Sequence, residues 1–285
     1  MKQYFSFISL KSPAVLMLIL SAAWSVSCNK QEILDNDSDS VLTLASLMDT
    51  PAMRATVANV WSGGEQVLVS IDNGQAVTFT AAPNGALIPE SPVYLQSSLQ
   101  SISARAWYPA SWTFPANQSG GLQSADFIFA STVTGITASN CADKPLVFRH
   151  RTAKVRVNLT AGTDISSLSG ATVSFYGYTS GVADTSDTGD GVITGAGNDW
   201  ITPQNSGDTY TALLIPRDMT GIQFVKIKLG GIDYFYSPTA GQANLQQGIT
   251  YTYNITVHRT RLEVVVVDGL EWSNGDEYDV IPSHP

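Results

Sequence analysis

The sequence predicts an all-β protein, and two observations support this fold class. The chain is rich in Gly, Ser, Thr, Val and Tyr, and it has few Lys, Glu or Leu residues at helical spacing. Short runs with a period of two, separated by turn residues, recur along most of its 285 residues. That length leaves room for two ordinary domains once a leader is removed.

The N-terminus has the layout of a signal peptide. Lys2 and Lys11 precede an apolar run at 14–20, which is too short to span a bilayer, and small residues lead to Cys28. Cys28 lies where a lipobox cysteine would receive lipid and become the mature N-terminus. The alternative is a plain signal peptide cut elsewhere. If Cys28 carries lipid, Cys141 has no partner, and we expect a small buried thiol there.

The segment behind Cys28 predicts a tether and then a strand. Residues 29–40 are polar and acidic, as in a flexible linker. Val41 to Met48 has apolar residues at both parities, which predicts a strand with both faces buried. Arg54 follows in PAMRAT, where a trypsin-like protease could cut before Ala55. The alternative is an ordinary surface arginine in a linker.

The N-terminal half then reads as a series of short strands. Asn73-Gly74 lies between two alternating runs and predicts a hairpin. A loop after Tyr108 carries Trp112 and Phe114, which could plug the open end of a sandwich or form an exposed platform for sugars. The predicted strands are Gln66 to Ile71, Ala76 to Thr80, Val93 to Gln96, Ser101 to Tyr108 and Asp126 to Ser131.

The central stretch Leu146 to Leu159, LVFRHRTAKVRVNL, predicts a long bent strand that joins the two halves. Its two parts alternate out of step, so we expect a β-bulge near Arg151 and Thr152. We expect the His150 ring to face the core with a backbone partner and the flanking arginines to face water.

The C-terminal half continues in the same style. Gly230-Gly231 predicts a hairpin, and residues 251–257 form the most regular alternation in the chain. Leu262 to Val267 is apolar at both parities and needs cover on both faces. The other predicted strands are Ala171 to Thr179, Tyr210 to Ile215, Gln223 to Leu229 and Asp233 to Tyr236.

No catalytic motif is present in the sequence. It has three histidines, no HExxH, no CxxC, no GxSxG and no Gly-rich phosphate loop. We therefore expect no enzymatic activity, no cofactor and no catalytic metal. Asp184, Asp187 and Asp190 could hold calcium, but a solvated acidic turn is the favoured interpretation. The net charge of −9 disfavours a nucleic-acid partner.

Several motifs together resemble one family. They are AWYP at 106–109, DFIFAS at 126–131, the central stretch, ALLIP at 212–216, and GITYTYNITV followed by LEVVVVDGLEW up to Trp272. In this order they resemble the fimbrillin-like (Mfa-like) family of type V fimbrial subunits and surface lipoproteins of Bacteroidales.

The resemblance implies two tandem transthyretin-like β-sandwich domains and a structural or adhesive role in cell-surface fimbriae. The expected organisation is a lipoprotein signal peptide at 1–27, a lipidated tether with a removable strand at 28–54, and sandwiches at 55–144 and 145–285. It also implies export to the outer membrane with lipid on Cys28, cleavage between Arg54 and Ala55, and polymerisation with other subunits by strand exchange. The candidate donor strand carries Leu262, Val264 and Val266, and the tail through Val280 is the other candidate donor.

A second function class remains open from the sequence. A monomeric glycan-binding lipoprotein of the outer-membrane surface would use Trp107, Trp112 and Trp200 as sugar contacts. Exposure of these rings discriminates the two classes, because buried indoles favour the fimbrial subunit and a flat exposed row favours glycan binding.

Overall fold

The structure, a computed structural model, describes residues 40–48, 61–97 and 99–271. In these residues the regular structure is β strand, apart from a short 3₁₀ helix at Gln123–Ala125. The predicted all-β class is confirmed. In the described part of the chain, no helix has the length and apolar character needed to cross a membrane.

The N-terminal half is built around one closed sheet. Seven strands follow one another around it in the order β2-β5-β4-β3-β7-β8-β9, and β9 pairs back to β2. β1 and β6 pair separately beside it. The strands are β1 Ser40–Val41, β2 Leu44–Met48, β3 Gln66–Ile71, β4 Val77–Ala81, β5 Ala86–Pro89, β6 Tyr94–Leu95, β7 Ile102–Tyr108, β8 Ile128–Ile136 and β9 Leu146–His150.

The C-terminal half has two main sheets, in the orders β15-β16-β10-β21-β22 and β14-β11-β18-β19. Two smaller pairs, β12-β13 and β17-β20, accompany them. The strands are β10 Ala153–Ala161, β11 Thr172–Gly177, β12 Ser180–Ala183, β13 Ile193–Ala196, β14 Asp199–Ile201, β15 Gln204–Ser206, β16 Thr209–Leu214, β17 Arg217–Asp218, β18 Val225–Leu229, β19 Ile232–Tyr236, β20 Asn244–Leu245, β21 Ile249–Val257 and β22 Leu262–Glu271.

Both predicted hairpins are present. β3 and β4 pair antiparallel around a turn in which Asp72 and Asn73 have positive φ, a conformation that these residue types tolerate. β18 and β19 pair up to Leu229 opposite Ile232, with two positive-φ glycines between them.

Each half has its own hydrophobic cluster. The N-terminal cluster lies inside the closed sheet and includes Val67, Phe79, Leu87 and Phe148. The C-terminal cluster includes residues of both main sheets, such as Val155, Phe175, Ile227 and Tyr253, together with Phe114, Phe127 and Phe129 from the N-terminal half. The loop residue Phe114 therefore lies in the C-terminal core and Trp112 packs against it, as the plug interpretation predicts.

The central stretch differs from its prediction. Leu146–His150 belongs to the closed sheet, whereas Ala153–Ala161 pairs with β16 and β21 in the other half. The change of phase at Arg151 and Thr152 is thus a passage between two sheets and not a bulge within one strand. Both residues are buried there, at 3% and 0% exposure.

Candidate strand-exchange site

The closed sheet depends on β2, which we call the closing strand. It pairs antiparallel with β5, with Leu44 opposite Leu87, and parallel with β9, with Ser46 opposite Leu146. Ahead of it, the Leu42 N–H donates to the Val93 carbonyl at 2.8 Å. Without the closing strand, β5 and β9 would each lose one neighbour and become sheet edges.

The closing strand buries mainly one face. Leu42, Leu44 and Ser46 share that face and are 3%, 1% and 1% exposed. On the opposite face Ala45 is buried, but Leu47 is 52% exposed. The prediction of a strand is confirmed, and the prediction that both faces are buried is wrong for Val41 and Leu47, whose outward side chains are 49% and 52% exposed.

A hydroxyl group on the closing strand links it to the rest of the sheet. The indole Nε1–H of Trp61 donates to Ser46 Oγ at 2.9 Å, and the Ser46 hydroxyl donates to the Gly85 carbonyl at 2.7 Å. The backbone N–H of Ser46 also donates to the Gly85 carbonyl, at 2.8 Å. We call these three bonds the Ser46 bridge. Sequence reasoning missed it, although a lone serine in an apolar run is a possible signal.

Two aromatic side chains hold Trp61 in place. Its ring makes edge-on contacts with Tyr108 and Phe148, at centroid distances of 5.8 Å and 5.2 Å. Trp61 itself is 5% exposed. The indole N–H is therefore directed at Ser46 by packing in the core.

Gly85 allows the closing strand to approach closely. Its φ is +84°, and a Cβ at this position would lie 2.5 Å from the Ser46 carbonyl oxygen. Any larger residue would push the closing strand away from β5, since this distance is shorter than real Cβ contacts.

The proposed processing residues Cys28, Arg54 and Ala55 lie outside the described residues. Cys141 is buried, as expected, at 3% exposure. It is disulfide-bonded, however, and no cysteine in the described part of the chain is a free thiol. The expectation of a free thiol at this position is therefore wrong.

The candidate donor strand lies within its own sheet. β22 is the last strand of the five-stranded sheet and pairs antiparallel with β21. Leu262, Val264 and Val266 pack against the C-terminal core, whereas Val265 is 57% exposed. One face of the strand is therefore largely uncovered, although the sequence suggested cover on both.

The three candidate glycan-contact tryptophans do not form one row. Trp107 and Trp112 line the same cavity of about 210 Å³, and Trp112 packs against Phe114 and Phe127. Trp200 lies on β14 in the other half, where it contacts Tyr176, Phe235 and the ammonium group of Lys226. All three indoles are half-buried.

The acidic turn contacts the N-terminal half. Asp187 accepts a hydrogen bond from the Thr132 hydroxyl at 2.6 Å, and Asp190 accepts one from the Ser131 hydroxyl. Asp190 also forms an ion pair of 3.2 Å with Arg151. Both carboxylates are about half exposed, as a solvated turn predicts, and each also has a partner in the N-terminal half. In the described part of the chain, no cluster of His, Cys, Asp or Glu could hold a metal ion.

The central His and Arg residues also differ from expectation. Arg151 is buried, whereas the sequence predicts that it faces water. Its guanidinium carbon lies 5.4 Å from the centroid of the Phe129 ring. Burial lowers the pKa of Arg151, and the charge of Asp190 partly offsets this effect. His150 Nδ1 lies 2.8 Å from Asp126 Oδ2, so its ring has a carboxylate partner. Arg149 is exposed, as predicted.

These features define an all-β protein whose N-terminal sheet is completed by a strand from ahead of the candidate cleavage site. The sequence profile of the fimbrillin-like family matches residues 54–272. The chain belongs to the fimbrillin-like family.

Solved structures share the fold. A candidate cell adhesion protein from Bacteroides uniformis has a TM-score of 0.64 and 18% identity, over 81% of this chain and 98% of its own. Another, from Bacteroides ovatus, has a TM-score of 0.61 and 14% identity, over 84% of this chain and 100% of its own. No curated protein matches the sequence.

Proposed function

We propose that this protein is a structural or adhesive subunit of cell-surface fimbriae, without catalytic activity, that assembles by strand exchange. One observation carries the proposal: the closing strand precedes Arg54 in the chain, whereas the six strands that it closes into a ring all follow it. A single cut after Arg54 would separate the closing strand from the sheet that it completes. Family membership and the cell-adhesion description of the structural neighbours support the same role.

The proposed maturation follows the order of the sequence. The signal peptide at 1–27 directs export, Cys28 takes up lipid for the outer membrane, and a protease cuts between Arg54 and Ala55. The mature subunit would then contain the expected domains at 55–144 and 145–285. β9 still pairs within the closed sheet, so the change of sheet falls a few residues after the second boundary.

Lipid attachment has a direct chemical competitor. The chain has two cysteines, so a disulfide within one chain at Cys141 would use the sulfur of Cys28. A thioether to lipid uses the same sulfur. Mass spectrometry of the membrane-extracted protein separates the two states, because lipidated Cys28 leaves Cys141 open to alkylation and a disulfide protects both cysteines.

Cleavage changes which strand occupies the position between β5 and β9. While the chain is uncut, the closing strand is tethered beside β5 and β9 at an effective concentration on the order of millimolar. After the cut that advantage is lost, and a strand from a neighbouring subunit can pair with the two exposed edges.

The donor that we propose is β22 of a second subunit, through Leu262, Val264 and Val266, or the tail that follows it. As the end strand of its sheet it has one paired neighbour in the described structure. The acceptor can be a copy of this chain or another fimbrial subunit.

The direct test is the N-terminus of the surface protein. We expect surface-extracted protein to begin at Ala55 and to form a polymer, and we expect Arg54→Gln to block both. Arg149→Gln, at an exposed arginine elsewhere, is the matched control and should leave processing unchanged. A surface polymer in which every chain still begins at Cys28 would contradict the proposal.

A monomeric glycan-binding lipoprotein is the second candidate, and the cavity shared by Trp107 and Trp112 favours it. Trp107 also lines a neighbouring cleft of about 630 Å³ together with Arg105. A surface protein that keeps its N-terminal segment, stays monomeric and binds polysaccharide would support this function instead.

A further inference from the structure

We infer that Trp61 and Gly85 form a selectivity site that accepts, in any strand replacing the closing strand, a Ser or Thr at the position of Ser46. The inference rests on the proposed function, because it concerns the strand that enters after cleavage. It names the chemistry of that partner: two alternate apolar residues followed, again at alternate spacing, by a hydroxyl residue. In β22 the residues Leu262, Val264 and Val266 end this pattern in a valine. The site therefore disfavours β22 of a copy of this chain, and of the two acceptors named above another fimbrial subunit is the one for β22.

After cleavage the mature subunit keeps the Trp61 and Gly85 groups of the Ser46 bridge. Trp61 and Gly85 follow Arg54 and stay with the mature subunit, whereas Ser46 leaves with the closing strand. The Trp61 indole is 5% exposed and is packed between Tyr108 and Phe148, so it does not reach water by a small movement. A strand that offers no acceptor would leave this N–H buried and unsatisfied.

The two groups of the site make different demands on an incoming strand. The Gly85 carbonyl accepts the backbone N–H of Ser46, a bond that most strands can replace through their main chain. The Trp61 N–H bonds to a side-chain oxygen, so a main-chain substitute does not serve it in this register. Only the second demand selects a residue type.

Space and charge restrict the residue further. Ser46 is 1% exposed, so its side chain lies in the packed interior, where a long side chain would overpack the core. A carboxylate would be buried without a cation, which is costly. A small neutral hydroxyl accepts from Trp61 and donates to Gly85, so Ser and Thr are the residues that fit.

The same site sets the register of the strand. Leu42, Leu44 and Ser46 share the inner face, and a slip by one residue would place a side chain from the outer face against Trp61. The hydroxyl requirement therefore determines both which strand enters and how it is aligned.

The test uses the full chain with a specific protease site placed in segment 49–60, cut after purification with the disulfide at Cys141 reduced. Fluorescent peptides spanning residues 40–48 then compete with the cut closing strand. We expect the Ser46→Thr peptide to bind within about threefold of the parent peptide. The Ser46→Val peptide, which has the shape of threonine without its hydroxyl, should bind about 5- to 150-fold more weakly.

A substitution of the donor, Trp61, tests whether its hydrogen bond causes the difference between the peptides. In a Trp61→Phe chain the N–H is absent, so the difference between the Thr and Val peptides should fall to within about twofold. If this variant does not fold, the peptide series on the parent chain still decides. Equal binding of the Thr and Val peptides overturns the inference and leaves strand exchange intact. Failure of the parent peptide to exchange at all counts instead against the proposed function.

Discussion

The two halves of the molecule differ in where their last strand comes from. In the C-terminal half the strands of both main sheets lie between Ala153 and Glu271, in one uninterrupted part of the chain. In the N-terminal half the closing strand comes from ahead of segment 49–60, which contains Arg54. One cut can therefore open the first half, whereas the same cut leaves the strands of the second half on one chain.

The main sheets of the two halves also differ in their edges. The closed sheet has no edge while the closing strand is in place, within the residues described. The five-stranded sheet keeps two ends, β15 and β22. Near β15, Gln118 from the other half bonds to both main-chain groups of Leu213, at 2.8 Å each. The ten-residue β22 is the longer of the two ends, which suits a donor more than an acceptor.

The largest effect is expected from a cavity in the closing strand. Leu44→Ala removes a side chain that is 1% exposed, and we expect the free energy of unfolding of the uncut protein to fall by about 2–5 kcal/mol. Leu47→Ala is the matched control on the same strand, where 52% exposure predicts a change within about 0.5 kcal/mol. Urea denaturation measures both.

Removal of the closing strand should abolish the effect of Leu44→Ala. Once the disulfide at Cys141 has been reduced and the closing strand has been cut off and washed away, the Leu44→Ala and parent proteins are the same molecule and should unfold alike. A large effect of Leu47→Ala, or none of Leu44→Ala, would mean that the closing strand contributes little to the closed sheet.

The fold could be predicted where strands are long enough to show a period. β3, β18, β19 and β21 follow alternation that the sequence displays openly, with turn residues at their ends. The strands without a predicted segment are two to four residues long, which is too short for a period of two to stand out: β5, β12, β13, β14, β15, β17 and β20.

The site could be predicted only in outline. The apolar pattern of Leu42 and Leu44 indicates a strand, and its place ahead of Arg54 suggests that it is removable. The Ser46 bridge joins residues 15 and 39 positions apart, and no local pattern reports such a contact. For the same reason the sequence does not show that the exposed acidic turn bonds to Ser131 and Thr132, which lie more than 50 residues away.

A pair of glycine substitutions, one in each half, tests the close approach of the closing strand to β5. Gly85→Ala and Gly207→Ala both force alanine into positive φ, at a cost of about 1–2 kcal/mol. At Gly207 the new Cβ meets nothing within 4 Å, whereas at Gly85 it lies 2.5 Å from the Ser46 carbonyl. We expect Gly85→Ala to destabilise the uncut protein by about 2–4 kcal/mol, more than Gly207→Ala.

Removing the closing strand should erase the difference between these two variants, because the clashing carbonyl leaves with it. Thermal or urea unfolding before and after cleavage provides the measurement. A difference that survives cleavage would assign the effect to strain within the β4–β5 turn and not to the closing strand.

The smallest expected effect concerns the contact between the halves. Asp190→Asn removes the carboxylate that faces the buried Arg151, so the guanidinium loses its charged partner at 3.2 Å. Asp190 is 52% exposed, and solvent screening limits the loss of stability to about 1 kcal/mol.

Asp184→Asn is the control, because Asp184 bonds to the Ser186 N–H inside the same turn. Hydrogen exchange at Ile128–Ile136 should quicken with Asp190→Asn alone, since this strand carries Ser131. Equal quickening in both variants would mean that the turn acts through its own fold, and the two halves would then be joined by their apolar contacts at Phe114, Phe127 and Phe129.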